Sequence, residues 1–179
     1  MDTPTALKRL DLWDKQGRYV FARADLAKIF HEDHPRALKA GLQRLVANEI
    51  LLRPVRGVYV YARSRNAGVD TIEHVARALR RGDYNYVSLE SALSEYGVIS
   101  QIPVDRLTVM TTGRKGEYRT PFGTIEFTHT KRQPIDILPG IRDVGRPLKL
   151  ATPGAAWRDL KRVGRNTHLV NEQELSAHG

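Results

Sequence analysis

Residues 35–47, PRALKAGLQRLVA, constrain the fold more than any other stretch. At about 100° per residue the segment has two faces. Leu38, Leu42 and Leu45 fall on one side, flanked by Gly41 and Val46, and must be buried. Arg36, Ala40, Gln43 and Ala47 fall opposite, with Lys39 and Arg44 on the flanks. This second face mixes long hydrogen-bonding chains with small alanines. A helix entering a DNA major groove needs that mixture, because Arg and Gln reach base edges and small residues let the backbone approach. The same side chains also suit a helix that simply faces water, so the flanking sequence has to decide.

Upstream, Thr3-Pro4 reads as an N-cap with proline at the first helical position. Leu7, Leu10 and Trp13 follow at helical spacing, and the helix runs to about Lys15 before Gly17. Tyr19-Val20-Phe21 predicts a brief strand, and Arg23–Phe30 a second helix with Leu26, Ile29 and Phe30 on one face. His31 to His34 form a polar turn in which Asp33 or His34 caps the next helix, with Pro35 in its first turn. Downstream, ILLRPVRGVYVY at 50–61 predicts two strands around a tight Pro54–Gly57 turn. Helix, turn, longer helix and basic hairpin together predict a winged helix-turn-helix over residues 1–66. Arg53 and Arg56 then sit on the wing, where they reach phosphate or the minor groove. Winged helices also serve as protein-binding modules.

The charge agrees with a polyanionic partner. Lys and Arg number 29 against 20 Asp and Glu, a net charge of +9. Residues 1–66 hold 13 basic and 7 acidic side chains, so the excess is densest there. The chain has no cysteine, which excludes disulfides and thiolate metal sites and is compatible with a cytoplasmic protein. No apolar run approaches the ~20 residues of a membrane helix, and the first residues carry no apolar signal core.

Ala62 to Gly68 is polar and small, and reads as a linker to a second domain over 69–179. Asp70-Thr71-Ile72-Glu73 resembles a capping box that opens a helix to about Arg81. Ser88 caps a helix to about Tyr96, and Thr152-Pro153 opens a last one to about Val163. Leu107–Thr111 and Thr124–Thr128 are strands by composition, and Gly113 to Glu117 form a loop tip. The whole chain is therefore α+β, a winged helix-turn-helix followed by a mixed α+β domain. Arg114, Lys115, Arg119, Lys131 and Arg132 form a second basic cluster, placed to meet phosphate, an acidic partner or only water.

Catalytic signals are poor. The sequence has no phosphate-cradling Gly-rich loop before a helix and no paired His spacing for zinc, so no cofactor or metal is expected. His31, Asp33 and His34 suit a cap better than a metal. Ser88 and Ser91 have no histidine close in sequence to activate them. A nucleic-acid enzyme that docks through the winged helix is disfavoured for the same reason.

Several segments resemble AbiEi-type antitoxins of type IV toxin–antitoxin systems. They are Ala37–Leu45, Arg56–Tyr59, Val87–Gly97, Thr124–Phe127 and Ala151–Leu160, in that order. The resemblance implies a bacterial repressor of its own operon, encoded beside a nucleotidyltransferase-like toxin whose effect it opposes. It further implies an N-terminal domain that binds double-stranded DNA, at an inverted-repeat operator in its own promoter that pairs two copies. The C-terminal domain would support antitoxicity and DNA binding. Relatives carry more helix after the Thr-Pro segment, so this chain is expected to be a compact member. A transcription factor whose second domain senses a small ligand, with no toxin, is the alternative.

Overall fold

The computed structural model describes residues 1–100 and 105–178. The chain divides into two compact units, Met1–Leu79 and Arg80–Gly179.

In the first unit, α1 (Thr3–Asp14) is capped by Asp2, whose Oδ1 accepts from the Thr5 amide at 2.8 Å, one residue earlier than the Thr3 cap the sequence suggests. A short strand, β1 (Val20–Ala22), leads into α2 (Arg23–Ile29) and then α3 (Pro35–Ala47). The hairpin β2 (Leu51–Val55) and β3 (Val58–Tyr61) follows. The sheet order is β1-β3-β2, with both pairings antiparallel. Order and pairing match the winged helix-turn-helix expected from the sequence. Leu10, Phe21, Leu26, Phe30, Leu42 and Leu45 are buried at its centre. Each such side chain contributes about 1.5–3 kcal/mol by leaving water.

Residues 62–68 do not behave as a free linker. The Asp14 carboxylate, at the end of α1, accepts from the Ser64 hydroxyl, the Arg65 amide (3.1 Å) and the Asn66 amide nitrogen (2.9 Å). Burial works against its ionised form, but these bonds hold its pKa below the ordinary carboxylate value. The next helix, α4 (Thr71–Leu79), packs on β1 and β3. Tyr19 fixes it there: its hydroxyl lies 3.1 Å from Thr71 Oγ1, and its ring meets His74 edge-on at 5.1 Å. The first unit therefore ends at Leu79, and the helix assigned to the second domain from sequence belongs to the first.

The second unit is built on a six-stranded sheet. Its strands are β4 (Asn85–Val87), β5 (Arg106–Thr111), β6 (Gly116–Thr120), β7 (Gly123–His129), β8 (Ile141–Arg142) and β9 (Lys149–Ala151), in the order β6-β7-β5-β4-β9-β8. Pairing is antiparallel except between β4 and β9 and between β5 and β7. The helices are α5 (Leu89–Glu95), the single turn α6 (Pro134–Ile137), α7 (Pro153–Val163) and α8 (Glu172–Ala177). Thr152 caps α7 by accepting from the Ala155 amide at 3.3 Å. α5 and α7 pack together, and α5 lies on β5. Leu89 opens α5 at φ 58, a left-handed backbone uncommon for a bulky residue, and its side chain is fully buried. No helix among the described residues is long and apolar enough to cross a membrane.

Candidate nucleic-acid interface

The two faces of α3 separate in the structure as its sequence requires. Leu38, Gly41, Leu42 and Leu45 are buried, and Arg36, Lys39, Ala40, Gln43, Arg44 and Ala47 are exposed. Positions 36, 39, 40, 43 and 47 form one stripe, about 16 Å long at 1.5 Å per residue. His34 caps the helix, its Nδ1 accepting from the Ala37 amide at 3.2 Å. Asp33 accepts instead from the Met1 amino group at 2.8 Å and takes no part in the cap. Arg44 differs from its neighbours. It lies on the flank of the stripe, and its Nη2 donates to the Met1 carbonyl at 2.7 Å.

The wing turns two residues later than its proline suggests. Pro54 stays within β2, beside an irregularity in pairing between Leu52 and Val55, and the chain reverses at Arg56-Gly57. Gly57 takes φ +85, a conformation that glycine adopts without strain. Arg53 and Arg56 are exposed, and the Arg53 guanidinium lies 6.0 Å from the Tyr59 ring centroid. Sequence reasoning missed Arg23. Its amide donates to the Gly57 carbonyl at 2.9 Å, which brings an exposed arginine at the start of α2 beside the wing turn. Nothing in a local pattern signals that contact, because it joins residues 34 positions apart.

The second basic cluster does not form one patch. His129 Nδ1 bonds the Gly113 carbonyl at 2.8 Å, so the loop carrying exposed Arg114 and Lys115 lies near the segment carrying exposed Lys131. Arg119 stands four residues further along β6, about 13 Å away at the usual strand rise. Arg132 is half-buried and donates to Asp159 at 3.2 Å. It belongs to the interior of the unit rather than to a contact surface.

Asp159 organises that interior. It is fully buried on α7 and accepts from the Ser88 hydroxyl (2.8 Å), the Tyr86 hydroxyl (3.2 Å) and Arg132. Burial, and then the Asp159 charge, raise the Tyr86 pKa. Ser88 stands at the N-cap position of α5, but its hydroxyl serves Asp159 and makes no cap bond. Ser91 donates to the Arg106 carbonyl (3.2 Å) and accepts from the Thr108 amide (2.9 Å).

A cleft of about 960 Å³ opens in the same unit, lined by Glu90, Arg106, Glu126, His129 and Arg165 among others. Its charges pair in a chain: Glu117 to Arg106 (2.9 Å), Arg106 to Glu126 (2.7 Å), Glu126 to Arg165 (2.5 Å) and Arg165 to Glu90 (2.7 Å). The bond to Glu90 raises the Arg165 pKa, and in return holds Glu90 ionised against its burial.

Neither a family model nor a curated protein matches the chain. Among solved structures, it is similar to the crystal structure of the RV2827C protein from Mycobacterium tuberculosis, at 13% sequence identity and a TM-score of 0.54. The match covers 99% of this chain and 71% of that one. At that identity the likeness is one of fold alone.

Proposed function

We propose that the protein is a sequence-specific DNA-binding repressor of its own operon and the antitoxin of a type IV toxin–antitoxin pair. The observation that carries the DNA half is the exposed stripe on α3 with Arg36, Lys39 and Gln43, beside a wing that carries Arg53, Arg56 and, from α2, Arg23. A helix of this composition fits a major groove, and arginines on a wing fit the flanking backbone. One winged helix reads few base pairs, so the operator is an inverted repeat in the protein's own promoter, bound by two copies. The antitoxin half rests on the ordered AbiEi-like segments, and its partner is a nucleotidyltransferase-like toxin. In this reading the protein acts in the cytoplasm.

The test is a mobility-shift titration on the protein's own promoter and on a scrambled duplex. Arg36→Ala and Gln43→Ala are each expected to weaken discrimination by about 1–3 kcal/mol, the worth of one bidentate pairing with a base edge. Unchanged discrimination with an intact circular-dichroism spectrum would remove α3 from the reading role. The cleft at Glu90, Arg106 and Arg165 favours a second reading, a ligand-sensing regulator without a toxin. Co-expression with the neighbouring gene separates the two: growth rescue supports the antitoxin, and a harmless neighbour supports the sensor.

A further inference from the structure

β6 ends the six-stranded sheet, and among the described residues no strand pairs with its outer side. The hydrogen-bond parity of the sheet shows which groups face that side. The Thr124 amide donates to the Asp105 carbonyl (2.7 Å) and the Thr130 amide to the Thr111 carbonyl (2.8 Å). Even-numbered residues of β7 therefore turn to β5, and Gly123, Ile125 and Phe127 turn to β6. There they stand opposite Thr120, Tyr118 and Gly116. The N–H and C=O of Glu117 and Arg119 consequently point away from the sheet. The side chains of Glu117 and Arg119 share one face and are exposed. Glu117 pairs with Arg106, and Arg119 has no ion pair among the described residues.

Charged side chains usually guard an open edge against pairing. Here the order of the charges makes the edge complementary to itself. An antiparallel pair of identical strands has its two-fold axis at one residue. With the axis at Glu117, glutamate faces glutamate, and with the axis at Arg119, arginine faces arginine. With the axis at Tyr118, Glu117 faces Arg119 on both sides, and Gly116 faces Thr120. That register is also the one that uses all five residues of β6. We propose that β6 pairs with β6 of a second copy of this chain, antiparallel and centred on Tyr118. Glu117 and Arg119 of each copy exchange main-chain bonds with Arg119 and Glu117 of the other, and their side chains form cross-strand ion pairs. The interface is short, so it is reversible and gains most when two copies are already held close together. The pairing goes beyond the proposed DNA binding and needs no DNA, so its failure leaves that reading intact.

Sedimentation of the full chain without DNA, over a concentration series into the tens of micromolar, tests it. The wild type is expected to self-associate. Arg119→Glu sets like charges opposite one another and is expected to weaken association about tenfold. Glu117→Arg does the same, and an equimolar mixture of the two variants restores the dimer, because each hetero-pair is again complementary. The chain has no cysteine, so a single introduced one reports the register. Tyr118→Cys is expected to form a disulfide-linked dimer under mild oxidation, since residues on the axis lie within disulfide reach. Thr120→Cys, which faces Gly116, is expected to stay unlinked. A wild-type chain that stays monomeric throughout would overturn the proposal. So would a dimer indifferent to Arg119→Glu and not restored by mixing, or a chain that links through position 120 and not through 118.

Discussion

Asp159 is fully buried and pairs with Arg132 at 3.2 Å, and His74 is half-buried against Tyr19. Removing one partner of a buried ion pair leaves the other uncompensated, which costs about 3–5 kcal/mol where the pair is fully buried. Arg132 retains partial exposure (22% of its side chain), so the expected cost of Asp159→Ala lies near the low end, about 3 kcal/mol. Denaturant unfolding would measure it, and Ser88→Ala should cost about 1.5–3 kcal/mol, the worth of one hydrogen bond to a charged group. His74 acts through pH. Burial, with Arg77 adding repulsion and Asp70 opposing, holds its pKa below the ordinary 6.5. The unfolded chain therefore takes up the proton first. The stability tied to His74 is complete above the ordinary pKa of about 6.5 and falls as the pH drops below it. Thermal melts are expected to shift downward between about pH 7 and pH 5, and His74→Phe, which keeps an aromatic ring against Tyr19, should flatten that shift. Asp14 and Glu90, both lowered, lose their contributions only at more acid pH, below their ordinary values of 3.8 and 4.5.

The wing is the element on which local sequence and tertiary pairing disagree most usefully. Proline in the LRPVRG run suggests the turn, yet Pro54 is accommodated within β2 at the irregular register, where a missing N–H costs little. Moving the turn to Arg56-Gly57 puts Arg56 at the tip and Arg53 on the strand. If both meet phosphate, Arg53→Ala and Arg56→Ala should each lower affinity on every duplex. Each should also reduce the slope of log K against log salt by about 1 unit. A variant that retains the wild-type slope has an arginine that only faces solvent. Arg23→Ala is expected to behave as the wing variants do, because the Gly57 carbonyl holds its backbone beside the same turn.

At the scale of the molecule, the division at Leu79 changes which fragment is expected to fold. A chain cut after residue 66 loses α4 and exposes Tyr19, which is 3% accessible in the whole chain. A chain cut after residue 79 keeps that helix. The longer fragment is expected to melt cooperatively at higher temperature and to bind DNA, and the shorter one to melt earlier. If the proposed function holds, the 1–79 fragment assayed in cells beside the neighbouring gene should retain part of the repression and fail to rescue growth. Full rescue by it would assign antitoxicity to the first unit and leave the second without that role.

Strong periodicity and capping chemistry were legible from the sequence. The ends of α3 and α7 follow from His34-Pro35 and Thr152-Pro153, and the leucine face of α3 is buried as its spacing demands. Those signals are local, because a helix closes its hydrogen bonds within a few residues of itself. The short strands were not legible. Asn85–Val87, Gly116–Thr120, Ile141–Arg142 and Lys149–Ala151 carry too few residues for a period to emerge, and Gly116-Glu117 reads as the end of a loop tip until β7 lies beside it. The same holds for the candidate sites. Arg36, Lys39 and Gln43 could be found from helical geometry alone. The role of Arg23, the capture of Arg132 and Ser88 by Asp159, and the docking of residues 64–66 on Asp14 depend on partners 27 to 71 positions away in the chain. Only the packed structure decides such pairings, because a strand edge or a buried carboxylate acquires its partner from chain closure rather than from sequence neighbours.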